Sequence, residues 1–302
     1  MYNRKSAGFS VKSLGACILL LLAAMAWGSG FAIAKRALDT LPPCFILMVR
    51  FGIGTLILFP FLWKRLRAAS RKTWVVGLVI GLFVAVGHII QLVGMRYTTA
   101  GKCAFLSAVY VILVPFLVWA AGGRIPTAWN LTAACLCFAG VGMISLNSGL
   151  IPGLGEILSL IGGIFFGLQI ATVSLYASDC DMMIIAWMTM LVSSVITAVP
   201  AFIFEPHPTA MPAAVFGGIL YLAAFCSVFA LSAQNIGIKY APAAMATILM
   251  SMESVFGCLA GALLLQETID AKMLVGCAMI FVSLLVSNLH TKSQKQPHRQ
   301  EE

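Results

Sequence analysis

Long apolar runs recur along the whole 302-residue chain, which is 61% hydrophobic and only 10% charged. A bilayer core about 30 Å thick is crossed by about 20 helical residues, and backbone polar groups cannot stay unpaired in lipid. Such runs are typical of a polytopic membrane protein, and the strand-length alternation of a membrane barrel is missing from the sequence. The sequence therefore predicts an all-α protein with ten transmembrane helices, at residues 13–34, 42–63, 73–95, 101–122, 128–147, 153–176, 182–204, 213–238, 242–265 and 271–289.

The net charge of +9 would suit a nucleic-acid partner, but the positions of the basic residues indicate another origin. With the N-terminus placed in the cytoplasm, thirteen Lys and Arg lie on the cytoplasmic side of the predicted topology and five on the opposite side. This is the positive-inside asymmetry of membrane proteins. We therefore expect a multi-pass protein of the plasma (bacterial inner) membrane with both termini in the cytoplasm, in contact with the lipid bilayer and without nucleic acid.

The chain contains an internal repeat with an offset of 143 positions. The segment Gln91 to Tyr97 corresponds to the segment Gln234 to Tyr240, with Gln, Gly and Tyr at matching places. A long apolar run follows each copy; it carries Glu253 in the second copy and Tyr110 at the matching place in the first. Because each half has five helices, the second half enters the membrane from the opposite side, and the halves are expected to be inverted repeats. The predicted organisation is a first repeat at 1–149 (helices 1–5), a second repeat at 150–289 (helices 6–10) and a disordered, basic cytoplasmic tail at 290–302.

Glu253 is the strongest candidate for a functional side chain. Its helix is predicted at 242–265, which places the carboxyl group near the midplane of the bilayer, where charge is most costly. Intramembrane carboxylates are functional candidates by default, so we interpret Glu253 as a cavity-lining and proton-coupling group. A hydrogen-bonded glutamate that holds helices together is the structural alternative.

Further polar candidates lie in the first half. Arg50 is about 12 Å into its helix, deep enough for a function and shallow enough to snorkel, and both interpretations stay open. His88 and Gln91 fall on one face of the third helix, and polar groups in a bilayer need partners or water, so this face should meet protein or a cavity. His88 is either a hydrogen-bonded packing residue or a ligand and proton site. The other predicted cavity-lining residues are aromatic or amide side chains on different helices: Trp27, Tyr110, Gln169, Trp187 and Gln234.

The nine cysteines lie mostly in apolar segments without a Cys-x-x-Cys spacing, and the four histidines are scattered. Small packing residues explain this pattern, because metal sites need ligands at close spacing. We expect no metal, no cofactor and no catalytic residue. A membrane-embedded lipid-modifying enzyme would need clustered acids or histidines and is the less favoured class.

Several short motifs in both halves resemble the drug/metabolite transporter superfamily, and specifically its EamA-type ten-helix transporters. Their order and spacing along nearly the whole chain carry the resemblance. They are Trp27-Gly28-Ser29-Gly30-Phe31 with Lys35, Pro42-Pro43 followed by Arg50-Phe51, Gln91 through Tyr97-Thr98, Phe105 to Tyr110 ending at Pro115, Gly140-Val141-Gly142, and Ser251 to Val255 through Glu267.

The resemblance implies two inverted five-helix repeats around a central cavity, which moves small organic solutes by alternating access. Family members mostly export amino acids, related metabolites or toxic compounds, and relatives exchange sugar phosphates or nucleotide sugars. One departure concerns the acidic residue that the family often has at the end of helix 4. This chain has Gly122-Gly123-Arg124 there and keeps Glu267 in the second half. The resemblance therefore implies that the two gates are not equivalent.

The sequence favours a secondary transporter, an exporter of a small organic metabolite such as an amino acid or another amine-bearing or drug-like solute. One midplane acid and one midplane base suit a zwitterion or weak cation better than a polyanion, because phosphate recognition prefers several Arg or Lys side chains. An exchanger for sugar phosphates or nucleotide sugars is the alternative within the superfamily, and a channel is a further class. No Walker-type phosphate loop occurs, so we expect either proton coupling through Glu253 or His88 or facilitated diffusion. The sequence does not determine the oligomeric state.

Overall fold

The computed structural model describes residues 11–122, 125–145, 152–177, 179–208, 210–240 and 243–289. Within these ranges the regular structure is helical, and no β-strand forms. The described helices are α1 Val11–Ala37, α2 Pro43–Arg67, α3 Arg71–Met95, α4 Ala100–Ser107, α5 Tyr110–Ala120, α6 Ala128–Ser145, α7 Leu154–Tyr176, α8 Met182–Ile203, α9 Ala213–Tyr221, a π-helical segment Leu222–Phe229, α10 Ala230–Tyr240, α11 Ala243–Leu265 and α12 Ala271–Leu289.

Among the described residues, seven helical stretches of 21 to 26 residues are long and apolar enough to cross a membrane. Three shorter apolar helices accompany them, at Ala128–Met143, Leu249–Leu265 and Ala271–Val286. Each segment that the sequence predicts as membrane-spanning is helical over most of its described residues. The structure thus confirms an all-helical, multi-pass membrane protein. The predicted tail at 290–302 lies outside the described residues.

The predicted helix at 101–122 is divided into α4 and α5 by a turn at residues 108–109. Just after this turn, the amide nitrogens of Val111 and Ile112 bind carbonyl oxygens three residues back, which is the tighter 3₁₀ pattern. Gly163 of α7 lies against the turn, because a Cβ atom at this residue would be 2.8 Å from the carbonyl oxygen of Ser107. The turn between α4 and α5 therefore lies where α7 approaches closely. The apolar pattern of α4 and α5 in the sequence does not indicate this approach.

The helices pack in a few extensive pairs: α1 along α11 and α10, α2 along α8, α3 against α7 and α8, and α6 along α12. Small residues allow close approach in lipid. A Cβ atom at Gly28 of α1 would lie 2.5 Å from Cβ of Phe256 and 2.8 Å from the carbonyl oxygen of Glu253. Gly257 of α11 also contacts α4, because a Cβ atom there would lie 2.5 Å from Cβ of Ala104. Helix α11 therefore packs closely against both α1 and α4.

Charged side chains join helix ends at both ends of the bundle. At the end called here the Glu267 end, Glu205 binds the first turn of α2 and Glu267 binds the first turn of α4. Lys35 binds backbone carbonyls at and just after the end of α3, at the same end of the bundle. At the opposite end, called the Arg65 end, Arg65 pairs with Asp181.

Candidate functional site

Arg50 lies inside α2, and the residue is only 8% exposed. Its Nε donates a 3.0 Å hydrogen bond to Oγ of Ser227 in the π-helical segment, and its guanidinium carbon lies 5.1 Å from the ring centroid of Phe51. Within the described residues, the hydrogen bond of Arg50 uses Nε, and the two terminal nitrogens are further donors of the same group. A guanidinium fork of this kind can hold a carboxylate by two parallel hydrogen bonds.

The π-helical segment positions Ser227 for this contact. Its Oγ also donates to the carbonyl oxygen of Leu222, five residues earlier, at 3.2 Å. The neighbouring carbonyl of Cys226 accepts a 2.5 Å hydrogen bond from Nε1 of Trp27, and the Cys226 thiol donates to the carbonyl of Ala26 at 3.0 Å. The π-helical segment is therefore bound to α1 on one side and to Arg50 on the other, and these tertiary contacts stabilise its geometry. Short π-helical segments of this kind are frequent at functional sites.

Glu253 lies on α11 and is half-buried. Its carboxyl group interacts electrostatically with Arg50, Tyr110 and Cys226. The ion pairs of the described residues do not include Glu253 with Arg50. An acid and a base from two different helices therefore lie within electrostatic range of each other without direct contact.

His88 is enclosed by aromatic rings. Its ring centroid lies 5.2 Å from that of Phe51 and 4.9 Å from that of Phe166, both in edge-on geometry, and Phe166 lies 6.4 Å from Tyr110. His88 Nδ1 is 2.9 Å from the carbonyl oxygen of Val84, so the tautomer that donates from Nδ1 leaves Nε2 as the second polar atom. We call Arg50, His88, Tyr110, Ser227 and Glu253 the central cluster.

Other predicted site residues have contacts nearby. Gln91 is buried, and its Nε2 donates to Oγ of Ser107 at 2.8 Å. Trp187 is also buried, and its Nε1 donates to the carbonyl oxygen of Thr55 at 3.1 Å. Since Thr55 is five residues after Arg50, this contact lies about 7.5 Å further along α2. Gln91 and Trp187 thus make their hydrogen bonds beside the central cluster. Gln91 lies on α3, which carries His88, and Trp187 binds α2, which carries Arg50.

Gln169 of α7 and Gln234 of α10 are half-buried. The described contacts tie neither of them to the central cluster. Both glutamines therefore remain predicted cavity residues, on helices that pack against α3 and α1 respectively.

The sequence did not indicate Ser227 or the role of the Cys226 carbonyl. Ser227 is a single serine in the run Leu222–Phe229, and such a residue is common in membrane helices. The only available signal was the pair of Cys226 and Ser227 within a stretch of apolar side chains. The contact with Arg50 spans 177 positions and depends on the π geometry.

A groove of about 210 Å³ lies between α5 and α6 and is lined only by apolar residues such as Val109, Phe116 and Cys137. Leu131 and Phe138 at its rim are 60% and 66% exposed, which suits contact with lipid. Within the described residues, no three His, Cys, Asp or Glu side chains come together as a metal site. The lining of this groove therefore offers no polar side chain to a solute.

Comparison with known proteins identifies this helical chain as a membrane transporter. The model of the EamA-like transporter family matches the chain twice, at residues 14–146 and 153–289, and the chain belongs to this family. The family is consistent with the drug/metabolite transporter superfamily, and its name and those of the relatives point to a transporter rather than an enzyme.

Two relatives and one solved structure support the assignment. An uncharacterized transporter of Archaeoglobus fulgidus is 30% identical over 281 residues, which cover 92% of this chain and 87% of the relative. The uncharacterized transporter YvbV of Bacillus subtilis is 24% identical over 289 residues, covering 92% and 93% of the two chains. A protein of known crystal structure matches with a TM-score of 0.66 at 17% identity, over 92% of this chain and 97% of that one, and shows a similar fold.

Proposed function

We propose that this protein is a secondary transporter that exports a small amine-bearing organic metabolite, such as an amino acid or a related drug-like solute, by alternating access. The observation that carries the proposal is the central cluster. There, a buried guanidinium group and a carboxyl group lie on different helices inside an apolar bundle. Ionisable groups at membrane depth are costly and mark solute or proton pathways.

The chemistry of the cluster favours a zwitterion. Arg50 is the only Lys or Arg deep inside a predicted span, since Lys102 and Lys272 are each the second residue of theirs, and its terminal nitrogens can hold one carboxylate. Glu253 supplies the opposite charge for an ammonium group. Rings of Phe51, Phe166 and Tyr110 provide apolar surface for the rest of the solute. A sugar phosphate would need more cationic groups than this cluster contains, so the exchanger type is less suited to it.

Two inverted repeats, at 1–149 and 150–289, provide the mechanism of the proposal. The double match of the family model supports this division. The packing also supports it: α1 lies along α11, and α7, its counterpart in the second half, lies along α4 and α5. Two copies of one unit can exchange conformations across a central site, which opens the site to one membrane face at a time.

Location and driving force complete the proposal. The positive-inside distribution supports a bacterial inner-membrane orientation with both termini in the cytoplasm and the Glu267 end of the bundle at the opposite face. Glu253 and His88 are the candidates for proton coupling, since both are titratable members of the central cluster.

The test is ligand-induced thermal stabilisation of the purified full-length protein. The panel contains amino acids, their amides without a free carboxylate, the corresponding amines, and sugar phosphates. A ligand at 100 times its dissociation constant stabilises the folded state by about 2.7 kcal/mol. We expect a shift with at least one amino acid, a smaller shift with its amide, and loss of the shift in Glu253→Gln.

Asp270→Asn is the matched control, because the Asp270 carboxylate binds the backbone nitrogen of Met273 at the start of α12, away from the cluster. This variant should keep the ligand-induced shift although its baseline stability falls. Stabilisation by sugar phosphates alone, or by none of the panel, would refute the proposed solute class. Transport of the stabilising solute into proteoliposomes then tests whether binding leads to movement across the membrane.

A further inference from the structure

The α4–α11 pair and the α2–α8 pair differ in the polar contacts that join their helices at the two ends of the bundle. We propose that the contact of Glu267 with α4 is the gate of the Glu267 end, opened by separation of α4 from α11, while α2 and α8 stay together as a fixed pair. This inference rests on the proposed alternating access, but its test needs no solute. Four observations carry it.

The first observation is the geometry of Glu267. The chain leaves α11 through Gln266, which has a positive φ of 56°, and this turn directs Glu267 back towards α4. The two carboxylate oxygens accept hydrogen bonds from the backbone nitrogens of Ala100 and Gly101, at 2.6 and 3.1 Å. Amides in the first turn of a helix lack partners within the helix, and a negative charge is favourable there. Glu267 therefore stabilises contact between the second half of the chain and α4.

The second observation is that α2 and α8 are tied at both ends. At the Glu267 end, the Glu205 carboxylate accepts hydrogen bonds from the backbone nitrogens of Cys44 and Phe45, at 2.9 Å each. At the other end, Arg65 donates to Asp181 at 2.5 and 2.9 Å. Cys44 and Arg65 are 21 residues apart in one helix, or about 31 Å. With side-chain packing along this whole length, the pair can separate only if both end contacts break.

The third observation is that, within the described residues, α4, α5 and α11 have a carboxylate contact of this kind at the Glu267 end alone. No Asp or Glu occurs between Asp39 and Glu156, so the connection after α5 has no carboxylate for the start of α11. With the repeat offset of 143, the position that corresponds to Glu267 is Arg124. A cation does not stabilise the positive end of a helix. A contact with α11 at one end alone therefore favours the state in which the Glu267 end is closed. At the same end, the Glu156 carboxylate of α7 also accepts a hydrogen bond from Thr98 at 3.0 Å and pairs with Lys102 at 3.4 Å.

The fourth observation is the division between α4 and α5. Helix α4 packs on α11 and α7, whereas α5 packs on α7 and α6. The turn at residues 108–109 allows the short α4 to move with respect to α5 without bending a continuous helix. The gate therefore needs a displacement of eight residues, Ala100–Ser107, and not of a whole transmembrane span.

Native cysteines report on this movement. Cys103 in the first turn of α4 is 0% exposed, and Cys44 in the first turn of α2 is 5% exposed. Cys137 on α6 is 2% exposed and reports on global unfolding. The experiment measures the rate at which N-ethylmaleimide labels each thiol in the full-length protein in lipid nanodiscs, by mass spectrometry.

We expect Glu267→Gln to raise the labelling rate of Cys103 about tenfold or more, because the loss of charged hydrogen bonds increases the open population by this order. Cys44 and Cys137 should keep their wild-type rates. Glu205→Gln should leave Cys103 protected, because the other contact of the α2–α8 pair remains. Asp270→Asn, three residues after Glu267, is the matched control and should label like the wild type.

A second part of the experiment closes the gate again with a disulfide bond between α4 and α11. A Cβ atom at Gly101 would lie 3.5 Å from the Cys258 sulfur and 3.3 Å from the Cys258 Cα of α11, so Gly101→Cys places two thiols within disulfide reach. The same atom would lie 2.9 Å from the end of the Met273 side chain, which is flexible and has to shift. Added copper phenanthroline oxidises the pair, removing two electrons and two protons as the sulfur–sulfur bond forms. In the Glu267→Gln background this bond should return Cys103 to its wild-type rate, and dithiothreitol should reverse the effect.

Two results would overturn the inference. One is wild-type labelling of Cys103 in Glu267→Gln, which would show that the carboxylate does not hold α4. The other is equal exposure of Cys103 in Glu205→Gln, which would show that α2 and α8 open as part of the same gate. Because no solute is used, either result is independent of the ligand panel.

Discussion

Gly28 offers a sharp test of the packing that holds the central cluster together. A Cβ atom at this position would lie 2.5 Å from Cβ of Phe256, 2.8 Å from the Glu253 carbonyl oxygen and 2.8 Å from the nitrogen of Gly257. Carbon atoms pack at about 3.5–4.0 Å, so Gly28→Ala requires α1 and α11 to move apart by roughly 1 Å or more. Two of the three contacts are backbone atoms, which cannot rotate away. Overpacking of this kind costs about 1–3 kcal/mol.

The assay compares the thermal unfolding of Gly28→Ala with that of Gly15→Ala. Gly15 lies on the same helix, and a Cβ atom there would meet nothing within 4 Å. Alanine is preferred to glycine inside a helix by up to about 1 kcal/mol, so Gly15→Ala should be neutral or slightly stabilising. We expect Gly28→Ala to lower Tm by roughly 2–12 °C, from about 2–4 °C for each kcal/mol in chains of this order of length.

The result that would refute this reasoning is equal Tm values for the two variants. It would mean that α1 and α11 do not cross at Gly28 in the folded protein. The displacement should also move the backbone of Glu253, so ligand-induced stabilisation should weaken in Gly28→Ala and persist in Gly15→Ala.

Three further predictions concern the central cluster. Ser227→Ala removes the acceptor of Arg50 and should weaken solute binding by about 1.5–3 kcal/mol, while Ser227→Thr should retain most of it, as the same ligand panel can show. Glu253→Gln, which is expected to lose the ligand-induced shift, should also lose transport driven by a pH gradient in proteoliposomes, and a full response to the gradient would exclude Glu253 as the coupling acid. Trp27→Phe removes a hydrogen bond to the π-helical segment and should cost about 1 kcal/mol in thermal unfolding. The exposed Trp63→Phe is its control and should have little effect.

Much of the fold could be predicted from the sequence, because lipid admits few solutions for an apolar chain. The predicted helix at 182–204 coincides closely with α8, Met182–Ile203, since the apolar run and the flanking turn residues both mark its limits. The predicted helix at 213–238 is interrupted by the π-helical segment, and that at 101–122 is divided. In both places the backbone conformation depends on contacts with helices that are distant in the chain. The composition of the segment itself does not indicate those contacts.

The candidate site was only partly predictable. Arg50, His88, Tyr110 and Glu253 could be selected because polar groups are costly in an apolar span. Their meeting in one cluster could not be derived from the sequence, since they lie on four helices whose relative rotation depends on packing. The same is true of Glu205, whose carboxylate is 160 positions from its partner Phe45.

The sequence by itself determined that this protein is a helical, multi-pass membrane protein with an internal repeat and a few intramembrane charges. These properties follow from local rules: the length of an apolar run, the cost of charge in lipid, and the spacing of similar segments. Only the tertiary structure decided that Ser227 orients Arg50, that the widened turn is bound by Trp27, and that Glu267 binds the start of α4. Such contacts need backbone groups and side chains at defined distances across the bundle, and these distances exist only after the helices have packed.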